Sequence, residues 1–159
     1  MIRVILFLVT IVFSTTILSQ ENARKKEIKK VIETFFEGLH KGDSTIMKNT
    51  LHKNIKIQTT HITKKGEKKL ETETRKKLLT IVANKKPEQV YLEKLLSYDI
   101  KIDGNLSSVW TPYEFYLNGD FSHCGTNSFQ LFHNNGKWEI IFLVDMRRRD
   151  DCKGIKNKK

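Results

Sequence analysis

Glu114 and His123 are the residues whose types and spacing most invite chemistry. They flank Asn118-Gly119, a dipeptide that favours a two-residue hairpin loop because both positions accept positive φ. With Leu117 opposite Asp120, the register sets Glu114 opposite His123, Tyr116 opposite Phe121 and Trp110 opposite Asn127, all on one face. A carboxylate facing an imidazole raises the histidine's pKa and makes an acid/base pair near neutral pH. The same two residues can equally form a plain cross-strand ion pair. A slip of one residue would carry them to the other face.

Asp145 is the second candidate acid. It stands near the end of a strand in which Ile140, Phe142, Val144 and Met146 share one side and Ile141, Leu143, Asp145 and Arg147 the other. It can serve as a cavity acid or as the partner of Arg147 or Arg148. Trp110, Tyr113, Tyr116, His123, Asn127 and His61 are candidate cavity-lining residues, with Thr59 a weaker one. Pro112 inside a strand implies a bulge. His40, beside the stop at Lys41-Gly42, reads as a partner for the helix C-terminal dipole.

Cys124 and Cys152 are the chain's two cysteines. In an oxidising compartment an even count tends to pair. With Asn135-Gly136 as a loop, Cys124 falls opposite Arg147, and Arg149-Asp150-Asp151 can turn Cys152 back towards it. The rival is a cavity nucleophile at Cys124, but its neighbour His123 points to the opposite face.

Other chemistries are not written in the chain. The five histidines are scattered, with neither HExxH nor CxxC, so no metal site is expected. A phosphate-cradling glycine loop and a serine nucleophile elbow are also missing. No cofactor is expected.

The elements that must position these residues follow from periodicity. Residues 23–40 carry Ile28, Val31, Ile32, Phe35, Phe36 and Leu39 at helical spacing. Asp43 caps a short helix reaching Leu51. A strand over 55–61 and a turn at 64–67 lead to a helix over 73–84, ended by Pro87. Strands over 96–102, 109–117, 121–133 and 138–146 complete the domain. Helices gathered on one face of an antiparallel sheet define an α+β domain.

Met1-Ile2-Arg3, the apolar run after it and Ser19 compose a signal peptide over residues 1–19, too short and hydroxyl-rich for a stable membrane anchor. Residues 20–148 are the domain and 149–159 a basic tail. A secreted or periplasmic location follows. Lys+Arg 29 against Asp+Glu 18 gives a net charge of +11. The basic residues are not interleaved with exposed aromatics, so a solvated surface is expected and nucleic acid is not.

Trp110-Thr111-Pro112-Tyr113-Glu114-Phe115-Tyr116, Ser122-His123-Cys124-Gly125, Lys137-Trp138-Glu139-Ile140 and Asp145-Met146-Arg147-Arg148 carry a resemblance. Over roughly Glu27 to Arg148 the chain resembles the nuclear transport factor 2-like superfamily, and within it the secreted bacterial branch called putative lumazine-binding. The resemblance implies a cone-shaped curved antiparallel sheet wrapped around a long N-terminal helix, as in cystatin-like α+β folds. It also implies a cavity for a small-molecule ligand and homodimers formed through the open sheet face. A final strand apolar on both sides points to pairing independently. The expectation is an exported, non-catalytic ligand-binding or protein-interaction module. The alternative is a dehydratase- or isomerase-like enzyme using Glu114, His123 and Asp145.

Overall fold

Helix α1 (Ile2–Lys41) lays Ile28, Ile32, Phe35 and Phe36 along one side, and all four are buried. This computed structural model describes the backbone of residues 2–152 and the side chains of residues 19–152. The side chains of residues 1–18, on which the leader reading rests, and residues 153–159 of the basic tail lie outside the described residues. Gly42, at φ 71°, ends α1 in the left-handed conformation that glycine adopts most readily. Asp43 then caps α2 (Ser44–Lys48) by accepting from the Thr45 and Ile46 amides, each at 2.9 Å. α2 stops short of the expected end because Leu51 already belongs to β1 (Leu51–Ile62).

β2 (Lys68–Glu73) returns against β1, and Thr74 caps α3 (Arg75–Ala83) by accepting from the Lys77 amide. Five strands follow: β3 (Tyr91–Leu95), β4 (Asp99–Asp103), β5 (Leu106–Leu117), β6 (Asp120–Asn134) and β7 (Lys137–Arg148). The sheet runs β2-β1-β7-β6-β5-β3, with β4 also on β5, and does not close on itself. Its pairs are antiparallel except β1 with β7, which lie parallel. α1 packs into the concave side, where Phe35 and Phe36 meet the Phe129 ring edge-on at 6.0 and 6.1 Å. The result is the expected α+β cone, with one parallel pair added.

Three expectations about the strands are corrected. The strand expected over 96–102 begins only at Asp99 as β4, residues 96–98 form a break, and β3 precedes them where no strand was expected. Pro112 sits opposite that break and causes no bulge of its own, pairing in register with Thr126. Its carbonyl accepts from the Leu96 amide at 2.9 Å, so its missing N–H points to the same edge, into the gap, where no ladder bond is lost. Both Asn-Gly loops are two residues long, with Asn118 at φ 55° and Asn135 at φ 48°. Each hairpin then takes up one extra residue. Ser122 bulges from β6, between the pairs Tyr116–Phe121 and Phe115–His123. Ile141 bulges from β7, between Leu131–Ile140 and Gln130–Phe142.

Candidate functional site

The Ser122 bulge decides the site. Beyond it Phe115, not Glu114, stands opposite His123, and Glu114 pairs with Cys124. Because alternate residues face opposite sides, Glu114 and His123 lie on different faces of the sheet and form no acid/base pair. Likewise Trp110 is opposite Ser128, and Thr111 takes the expected place opposite Asn127. Trp110 is 55% exposed on the convex face and lines no cavity. Tyr116 also lies on the convex face, where its hydroxyl donates to Glu114 Oε2 at 2.9 Å.

His123 occupies the concave side but is walled in. Its ring stacks on Phe115 at 4.8 Å and meets the Tyr113 ring edge-on at 5.9 Å. Burial pushes its pKa down to about 4, and the Arg147 guanidinium pushes the same way. It is neutral at physiological pH, the opposite of the raised imidazole that a facing carboxylate would produce. His40 is likewise held neutral by burial, and its Nε2 accepts the Glu93 amide at 2.8 Å. It pins strand β3 to α1 and is not a cation on the helix dipole.

The Ile141 bulge re-aims β7. Trp138 and Ile140 face the core before it, and Leu143, Asp145 and Arg147 face the concave side after it. The expected grouping of Ile140 with Phe142, Val144 and Met146 therefore fails. The bulge also moves Cys124 opposite Arg148 instead of Arg147. The chain then turns through Asp151, at φ 55°, and Cys152 is disulfide-bonded to Cys124 with Cα atoms 5.9 Å apart.

Between α1, α3 and the concave sheet lies an open cavity of about 1010 Å³. Its apolar side is built by Phe35, Phe36, Leu39 and Leu143, and its polar wall by His61, Glu93, Asn127, Asp145 and Arg147. Arg149, Asp150 and Asp151, held by the disulfide that follows them, form part of the mouth. Asp145 Oδ2 accepts from the Tyr113 hydroxyl at 3.1 Å and from Arg147 Nη2 at 3.3 Å. Tyr113 itself is fully buried behind this wall. Asn127 Nδ2 donates to Glu93 Oε1 at 2.7 Å. Burial pushes the Glu93 carboxyl up to about 8, with Asp145 adding to the rise. His61 Nε2 lies 3.7 Å from Glu71 Oε1.

So His61, Asn127 and Asp145 reach the cavity, while Trp110, Tyr116 and Glu114 do not. Glu93 is the residue that sequence reasoning missed. Its signal was the alternation Tyr91, Glu93, Leu95 in a run of five residues, each of which is less exposed than Leu92 and Lys94 between them. Among the described residues no cluster of three or more His, Cys, Asp or Glu is arranged to hold a metal. Nor is any described helix long and apolar enough to cross a membrane.

This cone of sheet around a helix, with a cavity at its open end, is the nuclear transport factor 2-like architecture. A nuclear transport factor 2-like protein of unknown function from Shewanella baltica matches with 21% identity and a TM-score of 0.58, over 79% of this chain and 94% of that one. Its counterpart from Cytophaga hutchinsonii gives 13% identity and a TM-score of 0.63, over 78% and 98%. A putative dehydratase of the same fold family from Streptomyces avermitilis gives 9% and 0.60, over 80% and 98%. At such identities the likeness is one of fold. Among curated proteins no relative matches the chain. The family model described as putative lumazine-binding matches residues 23–143, and the chain belongs to that family.

Proposed function

We propose that this domain is an exported, non-catalytic module that holds a small organic ligand in its cone. The observation that carries this reading is the open cavity of about 1010 Å³, apolar along α1 and polar along β3, β6 and β7. Its size and mixed lining suit a ligand of drug-like dimensions. The family description, putative lumazine-binding, agrees with a small-molecule ligand. Export rests on the leader composition of residues 1–19, and the Cys124–Cys152 bond fits an oxidising compartment. The enzyme alternative loses its geometric basis, since Glu114 and His123 occupy opposite faces. The test is to purify the protein from an exporting host, denature it, and identify released compounds by mass spectrometry. Titration with anilinonaphthalenesulfonate complements it. A stoichiometric compound or saturable dye binding is expected; an empty protein that binds no dye would overturn the reading.

The same reading includes a homodimer through the convex face. Trp110 stands out from that face with Val144 and Met146 in neighbouring rows, an arrangement that a second copy would cover.

A further inference from the structure

A strongly basic face lies apart from the cone. Two hollows, of about 530 and 410 Å³, open beside the junction of α2 with β1 and share Lys48, Lys53 and Arg75 as the ridge between them. The first also takes in Lys76, Ser44 and Thr80, and the second Lys137, His52 and Glu139. No residue lines both this face and the cone cavity. Lys48 ends α2, Lys53 lies in β1, Arg75 and Lys76 open α3, and Lys137 opens β7. The grouping is made by the fold and is invisible in the sequence.

These cations are not neutralised within the chain. Lys48, Lys53, Arg75 and Lys76 form no ion pair among the described residues, whereas Lys25, Lys41 and Lys77 each hold a glutamate one helical turn away. The single carboxylate lining either hollow is Glu139, which Lys137 Nζ meets at 2.9 Å. Of the acids next along the chain, Asp43 is engaged in capping α2, and Glu73 lines the cone with Lys77 on it. Arg75 is held by backbone instead: its Nη2 donates to the Lys48 carbonyl at 3.2 Å and to the Leu51 carbonyl at 3.5 Å. Those bonds position the guanidinium and leave its charge uncancelled. Arg75 and Lys76 also stand in the first turn of α3, where the helix dipole disfavours cations. Gathering like charges in this way costs the isolated fold, and a polyanion laid across them would relieve the repulsion.

The lining narrows the partner. No large exposed apolar side chain and no Phe, Tyr or Trp lines either hollow. A membrane surface would want apolar anchors, and the bases of a nucleic acid would want rings to stack on. Ser44 and Thr80 bring hydroxyls among the cations, a donor set suited to the several acceptor oxygens of a phosphate. Two hollows across one ridge suit an extended chain better than a compact anion. We propose that this face docks a linear phosphate polymer without bases, its phosphates held by Lys48, Lys53, Arg75, Lys76 and Lys137.

The full chain is titrated with labelled inorganic polyphosphate over a series of salt concentrations. The triple variant K48Q/K53Q/K76Q should bind at least about tenfold more weakly, and its slope of log affinity against log salt should be flatter by about 2. The control K26Q/K30Q/K65Q removes the same charge from lysines outside the two hollows, and should lose less than about threefold because distant charges are screened. Glu139→Gln frees Lys137 and removes the one opposing charge, so it should tighten binding about threefold. Equal losses in the two triple variants would reduce the effect to net charge and overturn the proposal. So would polyglutamate of matched charge bound as tightly as polyphosphate. Tighter binding of oligothymidylate or of phosphatidylglycerol vesicles would hand the face to another partner and overturn it too. If K48Q/K53Q/K76Q does not fold, E139Q decides: binding no tighter than that of the wild type overturns the proposal.

Discussion

The Tyr113 ring lies over Gly125, its register partner on β6, so closely that a Cβ at position 125 would come within 2.6 Å of the Tyr113 hydroxyl. The lost side chain is the space in which Tyr113 reaches Asp145. Gly125→Ala would also set its Cβ against the Met146 backbone carbonyl on β7, closer still, so it should both push the β6–β7 pairing apart and crowd the tyrosine, at a cost of at least about 1–3 kcal/mol from overpacking and the broken hydrogen bond. Tyr113→Phe keeps the ring and loses only the bond, so it should cost about 1 kcal/mol. Urea unfolding of the two variants checks the order. G125A unfolding no earlier than Y113F would contradict the packing argument.

The Cys124–Cys152 bond closes a loop with a sequence separation of 28. On the chain-entropy account, a loop of that length stabilises the fold by about 3 kcal/mol by restraining the unfolded chain. Reduction, or the double change Cys124→Ser with Cys152→Ser, should lower thermal stability accordingly. It should also loosen Arg149–Asp151 at the cavity mouth, which hydrogen exchange would report. Two free thiols in the unreduced protein, purified without a reducing agent, would remove the staple from the account.

What could be read from the chain were the features enforced locally. The Asn118-Gly119 and Asn135-Gly136 loops fall where expected because few other dipeptides accept positive φ twice. The α1 core face follows from its spacing, and the disulfide partners from a chain that holds just two cysteines. The site's faces were not legible, for a physical reason. A bulge inserts one residue without any marked composition: Ser122 is followed by a half-apolar run, and Ile141 sits among residues apolar on both sides. Each shifts every side chain beyond it to the other face. Asp145 was found because its strand end was polar among apolar neighbours. Glu93 was not, because five residues of β3 are too few for alternation to stand out, and the break opposite Pro112 was hidden in the strand read through it.

Glu93 and His123 should make stability depend on pH in opposite directions. An unfolded chain ionises Glu93 above 4.5, whereas the fold keeps its proton up to about 8. The fold binds the extra proton in that window, so stability falls as pH rises through it. His123 takes a proton near 6.5 when unfolded and only near 4 when folded, so stability falls as pH drops from 6.5 towards 4. Around Glu93 the facing groups are Asp145, Arg147 and Asn127 from the sheet, with His40 of α1 on its amide. Glu93→Gln keeps a donor but cannot ionise. Its melting temperature should decline less than the wild type between pH 5.5 and 8.5, and parallel curves for the two proteins would refute the assignment.

Pairing through the convex face should depend on Trp110. Its side chain is more than half exposed and sits across from Ser128, with Val144 beyond it on β7. An exposed indole in such a row contributes little to the monomer, and a change there should move monomer stability by no more than about 0.5 kcal/mol. Buried at the centre of an interface, the same indole would be among the residues that carry most of the binding energy. Trp110→Glu would place a carboxylate there, and burying it without a partner costs several kcal/mol. The wild type should sediment as a dimer at micromolar concentration and W110E as a folded monomer of unchanged thermal stability. A wild-type protein that stays monomeric throughout this range, or a W110E variant that still dimerises, would move the interface away from this face.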